Sequence, residues 1–270
     1  MHVGDHRACV TSRILVFLRP VQVVLVTLAA VAGGAVNALA GGGTLITFPM
    51  LTAIGIPTVA ANITNTVALC PGYLGGTYAQ LEDLRTYKRQ AWVLGATGVV
   101  GGIAGGILLL YTGEKVFRFL VPYLILFATG LMAVQPLVRS WIARRSQSDG
   151  TGKWHEIGVV VAVALASVYG GFFGAGLSVI VLAVLALVLE GSLTSINALK
   201  QWVSFCVNIA AAIFFLFSGK VVWWAMAVMA VGSLVGGNLG GRLAGSIRPG
   251  MLRAIVIAVG LVIAVIYFVY

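Results

Sequence analysis

The chain has 270 residues, of which 60% are hydrophobic and 9% charged, with a mean hydropathy of +1.05. That composition excludes a soluble domain and is that of an all-α integral membrane protein with the lipid bilayer as its surroundings. The net charge of +10 sits mostly at segment ends, where Lys and Arg set topology and touch anionic lipid, so it is no nucleic-acid signal.

Residues 1–19 read as an N-terminal tail carrying Arg7, Arg13 and Arg19. The apolar run from Val21 to Ala40 is too long for the core of a signal peptide and is the first membrane segment. Gly41-Gly42-Gly43-Thr44 then breaks it where no soluble loop composition occurs. Lipid satisfies no free backbone group, so the break must be buried in protein or line a polar cavity. Thr44 suits the N-cap of a short second helix, whose free N–H groups and positive dipole end favour an anion. A longer segment over 59–80 carries Asn62, Thr64, Asn65 and Thr66. Of these, Asn62, Asn65 and Thr66 share one face, either to line a path or to bond helices together. Segments at 90–111 and 116–136 complete the first half, and a basic linker, 139–155, follows with Arg139, Arg144, Arg145 and Lys153. Positive-inside counting puts this linker in the cytoplasm, with the protein multi-pass in the cell membrane, a bacterial inner membrane by expectation.

The second half repeats the first. Gly41 and Gly43 fall on Gly174 and Gly176 at one offset, and Gly101, Gly102, Gly105 and Gly106 fall on Gly236, Gly237, Gly240 and Gly241 two residues later. The chain therefore reads as two homologous repeats, 20–138 and 156–270, each with a glycine-broken helix and a short half helix. Secondary transporters use this organisation to place a site at the repeat interface. The second-half segments are expected at 157–173, 177–189, 193–217, 221–240 and 251–269. If the short pieces after the breaks are re-entrant the chain crosses eight times. If they cross, it does so ten times with inverted halves, and the charges of the tail and of Arg242, Arg248 and Arg253 pull in opposite directions. The GxxxG faces let helix backbones approach closely, to join the halves or to join two protomers in a homodimer.

After the second break, Asn197, Lys200, Gln201, Ser204 and Asn208 form a polar stripe on one helix face. A Lys in mid-span costs roughly 2.5–3.5 kcal/mol, so it faces a cavity or a partner, the alternatives being snorkelling or a pair with Glu190. Every Asp and Glu lies in a tail, loop or segment end, whereas cation carriers need a carboxylate in mid-span. One Lys, several amides and hydroxyls, and two helix starts suit a small anionic substrate. No P-loop and no nucleophile–base spacing occurs, so neither an ATP motor nor an enzyme is expected, and no cofactor. Cys9, Cys70 and Cys206 are scattered packing residues rather than metal ligands or disulfide partners.

The pattern resembles the sulfite exporter TauE/SafE family. The resemblance is carried by Gly41 to Pro49, Ala60-Ala61-Asn62-Ile63-Thr64-Asn65, Tyr169 to Gly176, and Asn208 to Ala212 leading to Ser218-Gly219-Lys220-Val221. It implies a transporter, usually given eight membrane helices, that moves small sulfur-containing or organic anions such as sulfite, sulfoacetate or other sulfonates. By position, the substrate path it implies runs past Gly42, Gly43, Thr44, Asn62, Thr64, Asn65, Gly174, Gly176, Asn197, Lys200 and Gln201. A passive anion or small-solute channel is the competing reading.

Overall fold

The computed structural model describes residues 20–78, 80–145, 156–189, 193–243 and 249–269, and within them every regular element is a helix. The expected tail, linker residues 146–155 and Glu190 lie outside the described residues. In the first half α1 is Pro20–Ala40, α2 is Thr44–Ala53 and α3 is Thr58–Tyr78. A helical turn at Leu81–Leu84 and a 3-10 turn at Arg85–Tyr87 lead into the helical stretch Lys88–Arg145. Fifty-eight residues in one straight helix would reach about 87 Å, against about 30 Å of hydrocarbon. Gly113, at φ 71° and ψ 168°, divides the stretch into α4 (88–112) and α5 (114–145). The second half gives α6 Glu156–Phe172, α7 Leu177–Val188, α8 Leu193–Leu216, α9 Trp223–Leu243 and α10 Pro249–Val269.

Among the described residues, Pro20–Asn37, Lys88–Trp141 and Thr194–Leu216 are long and apolar enough to cross a membrane. The remaining apolar helices, α2 and α7 among them, are shorter. Outward faces carry bare apolar side chains such as Leu28, Trp92, Val100, Phe119 and Leu165, as a lipid-facing surface requires.

Contacts fix the helix directions. Gln80, just past α3, meets Asn197 near the start of α8, and Cys70 meets Asn208 further on, so α3 and α8 run antiparallel. So do α5 and α10, because Gln135 meets Arg253 and Tyr123 meets Phe268. By contrast α4 runs parallel to α8, with Ala91 at Trp202 and Gly106 at Phe214. It also runs parallel to α6, since Tyr87, Ala91 and Leu94 share a core with Val159 and Val163. Hence α6 and α8 point the same way, and α7 returns across the bundle between them.

The glycine spacing explains how the halves interlock. A Cβ at Gly101 would lie 2.4 Å from Ser167 Cβ, and one at Gly105 2.1 Å from the Val168 carbonyl, both on α6. On the adjoining face, a Cβ at Gly102 would lie 2.5 Å from the Val207 carbonyl of α8. The same wedge recurs in the other direction, with Gly236 of α9 against the Val31 carbonyl at 2.0 Å and Gly34 of α1 against the Ser233 carbonyl at 2.4 Å. Each half's fourth helix thus packs into the other half at Gly101, Gly102, Gly105 and Gly236.

Candidate functional site

The two breaks are made by chain ends of α1 and α6 that glycine alone turns without strain. Gly41 adopts φ 76° and its N–H bonds the carbonyls of Val36 and Asn37, which closes α1. Gly174 and Gly176 both adopt φ 80°, and the Gly174 N–H bonds the Tyr169 carbonyl. Thr44 is the first residue of α2 rather than its cap, a place held by Gly43 with no side-chain capping bond. The reason is space: a Cβ at Gly43 would lie 2.3 Å from the Gly33 carbonyl of α1, so no Ser or Thr fits the capping position.

The structure brings the two breaks together. A Cβ built on Gly41 would touch Ser178, in the first turn of α7, at 3.5 Å. Helices α5 and α10 cover this junction: Gly42 faces Met132 and Val256, and Gly176 faces Ala128 and Leu131. An edge-to-face aromatic cluster, Phe48 with Phe173 at 5.5 Å and Phe117 with Phe172 at 5.5 Å, anchors α2 and α5 to the end of α6.

The amides at these two helix starts stand apart from others in the protein. At α3, the Glu114 carboxylate accepts the N–H groups of Thr58 and Val59 and the Thr58 hydroxyl. At the start of α9, the Thr64 hydroxyl accepts the Val222 N–H at 3.0 Å. Among the described residues, Gly42, Gly43 and Thr44 at α2, and Ala175, Gly176 and Ser178 at α7, have N–H groups with no such acceptor. Each helix start carries the equivalent of about half a positive charge, so the pair is a ready anion position.

The remaining residues expected on the path fall into two groups. Asn65 is tied to α2, accepting from Thr47 Oγ1 at 2.5 Å and donating to Thr44 Oγ1 at 3.4 Å. Asn62 donates to the Phe172 carbonyl at 2.9 Å, which fixes the end of α6 beside the second break, and its own Oδ1 is buried without a partner. Thr64 is turned to α9, as above. The second group lies on α8 toward the linker end. There Lys200, only 8% exposed, donates to Asn197 Oδ1 at 2.8 Å, and Asn197 donates to Gln80 Oε1 at 2.9 Å. Gln201 is half-buried alongside, and one turn further in Ser204 is buried with its hydroxyl unpartnered. The stripe therefore runs from the linker end toward the middle of the bundle. Sequence reasoning missed Gln80 and the covering residues Met132 and Val256, whose roles depend on partners more than a hundred residues away or on the packing of separate helices.

The profile of the sulfite exporter TauE/SafE family matches residues 26–267. A probable membrane transporter protein of Haemophilus influenzae is 28% identical over 205 residues, covering 75% of this chain and 77% of the relative. The probable membrane transporter protein YfcA of Escherichia coli K12 is 24% identical over 256 residues, covering 94% of this chain and 92% of its own. The Sinorhizobium probable membrane transporter protein ORF9 is 23% identical over 238 residues, 88% of each. No solved structure matches the chain at a significant level. With the match spanning nearly all of it and both glycine breaks, the chain belongs to the sulfite exporter TauE/SafE family and is a membrane transporter.

Proposed function

We propose that the protein is a secondary transporter of a small sulfur-containing or organic oxyanion, such as sulfite or sulfoacetate, exported across the cell membrane. The observation that carries this is the meeting of two uncapped helix starts in a chain that caps other buried starts with Glu114 and Thr64. Close packing of Met132 and Val256, both fully buried, against Gly42 supports a gated carrier over an open pore. The antiparallel pairs α3/α8 and α5/α10 fit two inverted repeats of five traversing segments each. Those directions gather Arg85, Lys88, Arg89, Arg139 and Arg253 at the linker end, which is cytoplasmic by the positive-inside rule. Cysteines introduced at Val21, at the start of α1, and at Ile157, at the start of α6, are accordingly labelled by an impermeant reagent from the outer and the cytoplasmic side, respectively. Labelling of both from one side rules out the inverted arrangement.

Proteoliposomes preloaded with sulfite or sulfoacetate test the substrate class. Saturable uptake and counterflow of labelled anion are expected, with neutral and cationic analogues of equal size excluded. Linear flux without counterflow, or no flux of any anion, removes the reading. Within the site, Lys200→Gln folds at near-normal levels but binds substrate about 10–150-fold more weakly, as loss of a charge-assisted hydrogen bond of about 1.5–3 kcal/mol implies. Lys200→Arg retains part of the affinity. If Lys200→Gln instead lowers expression, and Glu190→Gln restores both expression and flux, Lys200 is an ion-pair partner and no substrate ligand.

A further inference from the structure

Helices α5 and α10, which cover the junction of the two breaks, carry a second set of groups on the same faces. On α5, Met132, Gln135 and Arg139 are spaced three and four apart and share one face. On α10, Arg253 and Val256 are three apart and share another. Met132 and Val256 both face Gly42, and one to two turns toward the linker end Arg253 Nε donates to Gln135 Oε1 at 3.2 Å. Gln135 is buried while Arg139 and Arg253 are half-buried. Arg139 lies within electrostatic range of both Arg253 and Lys200, and among the described residues no carboxylate is paired with any of the three. Like charges within range of one another repel unless an anion lies between them.

We propose that Arg253, held on the buried Gln135, and Arg139, on the same face of α5 as that glutamine, form an oxyanion-capture site at the linker-side mouth, separated from the start of α2 by the Met132–Val256 pair. It rests on the transport reading for its purpose, though not for its chemistry. An arginine pair selects planar or tetrahedral oxyanions by forked hydrogen bonding. The same chemistry would hold a phospholipid headgroup, but the pair continues a face that points at Gly42 inside the protein, which favours a dissolved anion. Arg118 stands exposed at the other end of α5 and serves as the control.

The test is thermal unfolding of the purified full chain in a zwitterionic detergent, with sulfate against chloride at equal ionic strength. Sulfate raises the midpoint of the wild type and of Arg118→Gln, and the rise is lost in Arg139→Gln and Arg253→Gln and kept in part by Arg139→Lys. Equal stabilisation of all variants, or none of the wild type, overturns the proposal. So does stabilisation by anionic lipid, and not by sulfate, that depends on the two arginines. In proteoliposomes both Gln variants raise KM for sulfite or sulfoacetate presented at the linker side about tenfold, with KM at the opposite side unchanged. A KM unchanged on both sides overturns the capture role. If the wild type transports no anion while its sulfate shift still needs Arg139 and Arg253, the capture site stands and the transport reading falls. If Lys200-dependent flux persists with a sulfate shift indifferent to the arginines, the reverse holds.

Discussion

Gly105→Ala and Gly236→Ala each abolish most of the folded protein. The added methyl carbon would sit 2.1 Å from the Val168 carbonyl in the first case and 2.0 Å from the Val31 carbonyl in the second. Both obstacles are backbone, so relief requires a helix of one half to move off a helix of the other by more than an ångström. Overpacking of a rigid contact costs about 1–3 kcal/mol and more where nothing can yield, and membrane helices have little besides such contacts holding them together. Gly130→Ala is the internal control, since a Cβ there meets nothing within 4 Å. It should leave the protein unchanged or more stable by up to about 1 kcal/mol, the helix-propensity gain. The measurement is the yield and melting temperature of monodisperse protein in detergent. Normal behaviour of Gly236→Ala would mean that α1 and α9 do not pack as described.

Gly176→Leu and Gly42→Leu insert in the membrane and lose transport altogether. At Gly176 the backbone is left-handed, at φ 80°, which costs a residue with a Cβ about 1–2 kcal/mol. The new Cβ would also press on Leu131 at 3.0 Å, leaving the rest of the leucine only the space at the helix start. Gly42 is different in kind, because its Cβ would meet the flexible end of Met132 at 2.8 Å, which can swing aside. Gly42→Ala therefore lowers flux only a few-fold, while Gly42→Leu fills the position that the free amides surround. Counterflow of sulfite or sulfoacetate separates the three variants at matched protein levels, and wild-type rates in either leucine variant would remove the helix starts from the path.

The breaks were legible because clustered glycines interrupt a helix even where the flanking residues are all apolar. The direction of α2 and α7 was not. Helices of 10 and 12 residues reach about 15 and 18 Å, too short by length to declare a crossing. Only the parallel course of α6 and α8 shows the chain returning between them. Thr64 illustrates the other limit. On the sequence it belongs with Asn62 and Asn65, but its hydroxyl serves the Val222 amide 158 positions away, a pairing that helix periodicity does not encode. Asn62 and Asn65 did land beside the breaks, the first at the end of α6 and the second at the start of α2. Arg253 was visible as one of the second-half charges that bear on topology, and its meeting with Gln135 needed the antiparallel course of α5 and α10.

The interlocking of the halves bears on how the polypeptide is made. Gly34 must wait for Ser233, and Val31 for Gly236, so α1 enters the bilayer about 200 residues before its closest neighbour exists. At roughly 5–20 residues per second that is an interval of about 10–40 s. Through it, the first half sits in lipid with the small-residue face of α1 and the glycine face of α4 both open. The last helices to emerge from the ribosome are thus the ones that complete the first, and a nascent chain halted at the linker is left with exposed surfaces that fit only its own missing half.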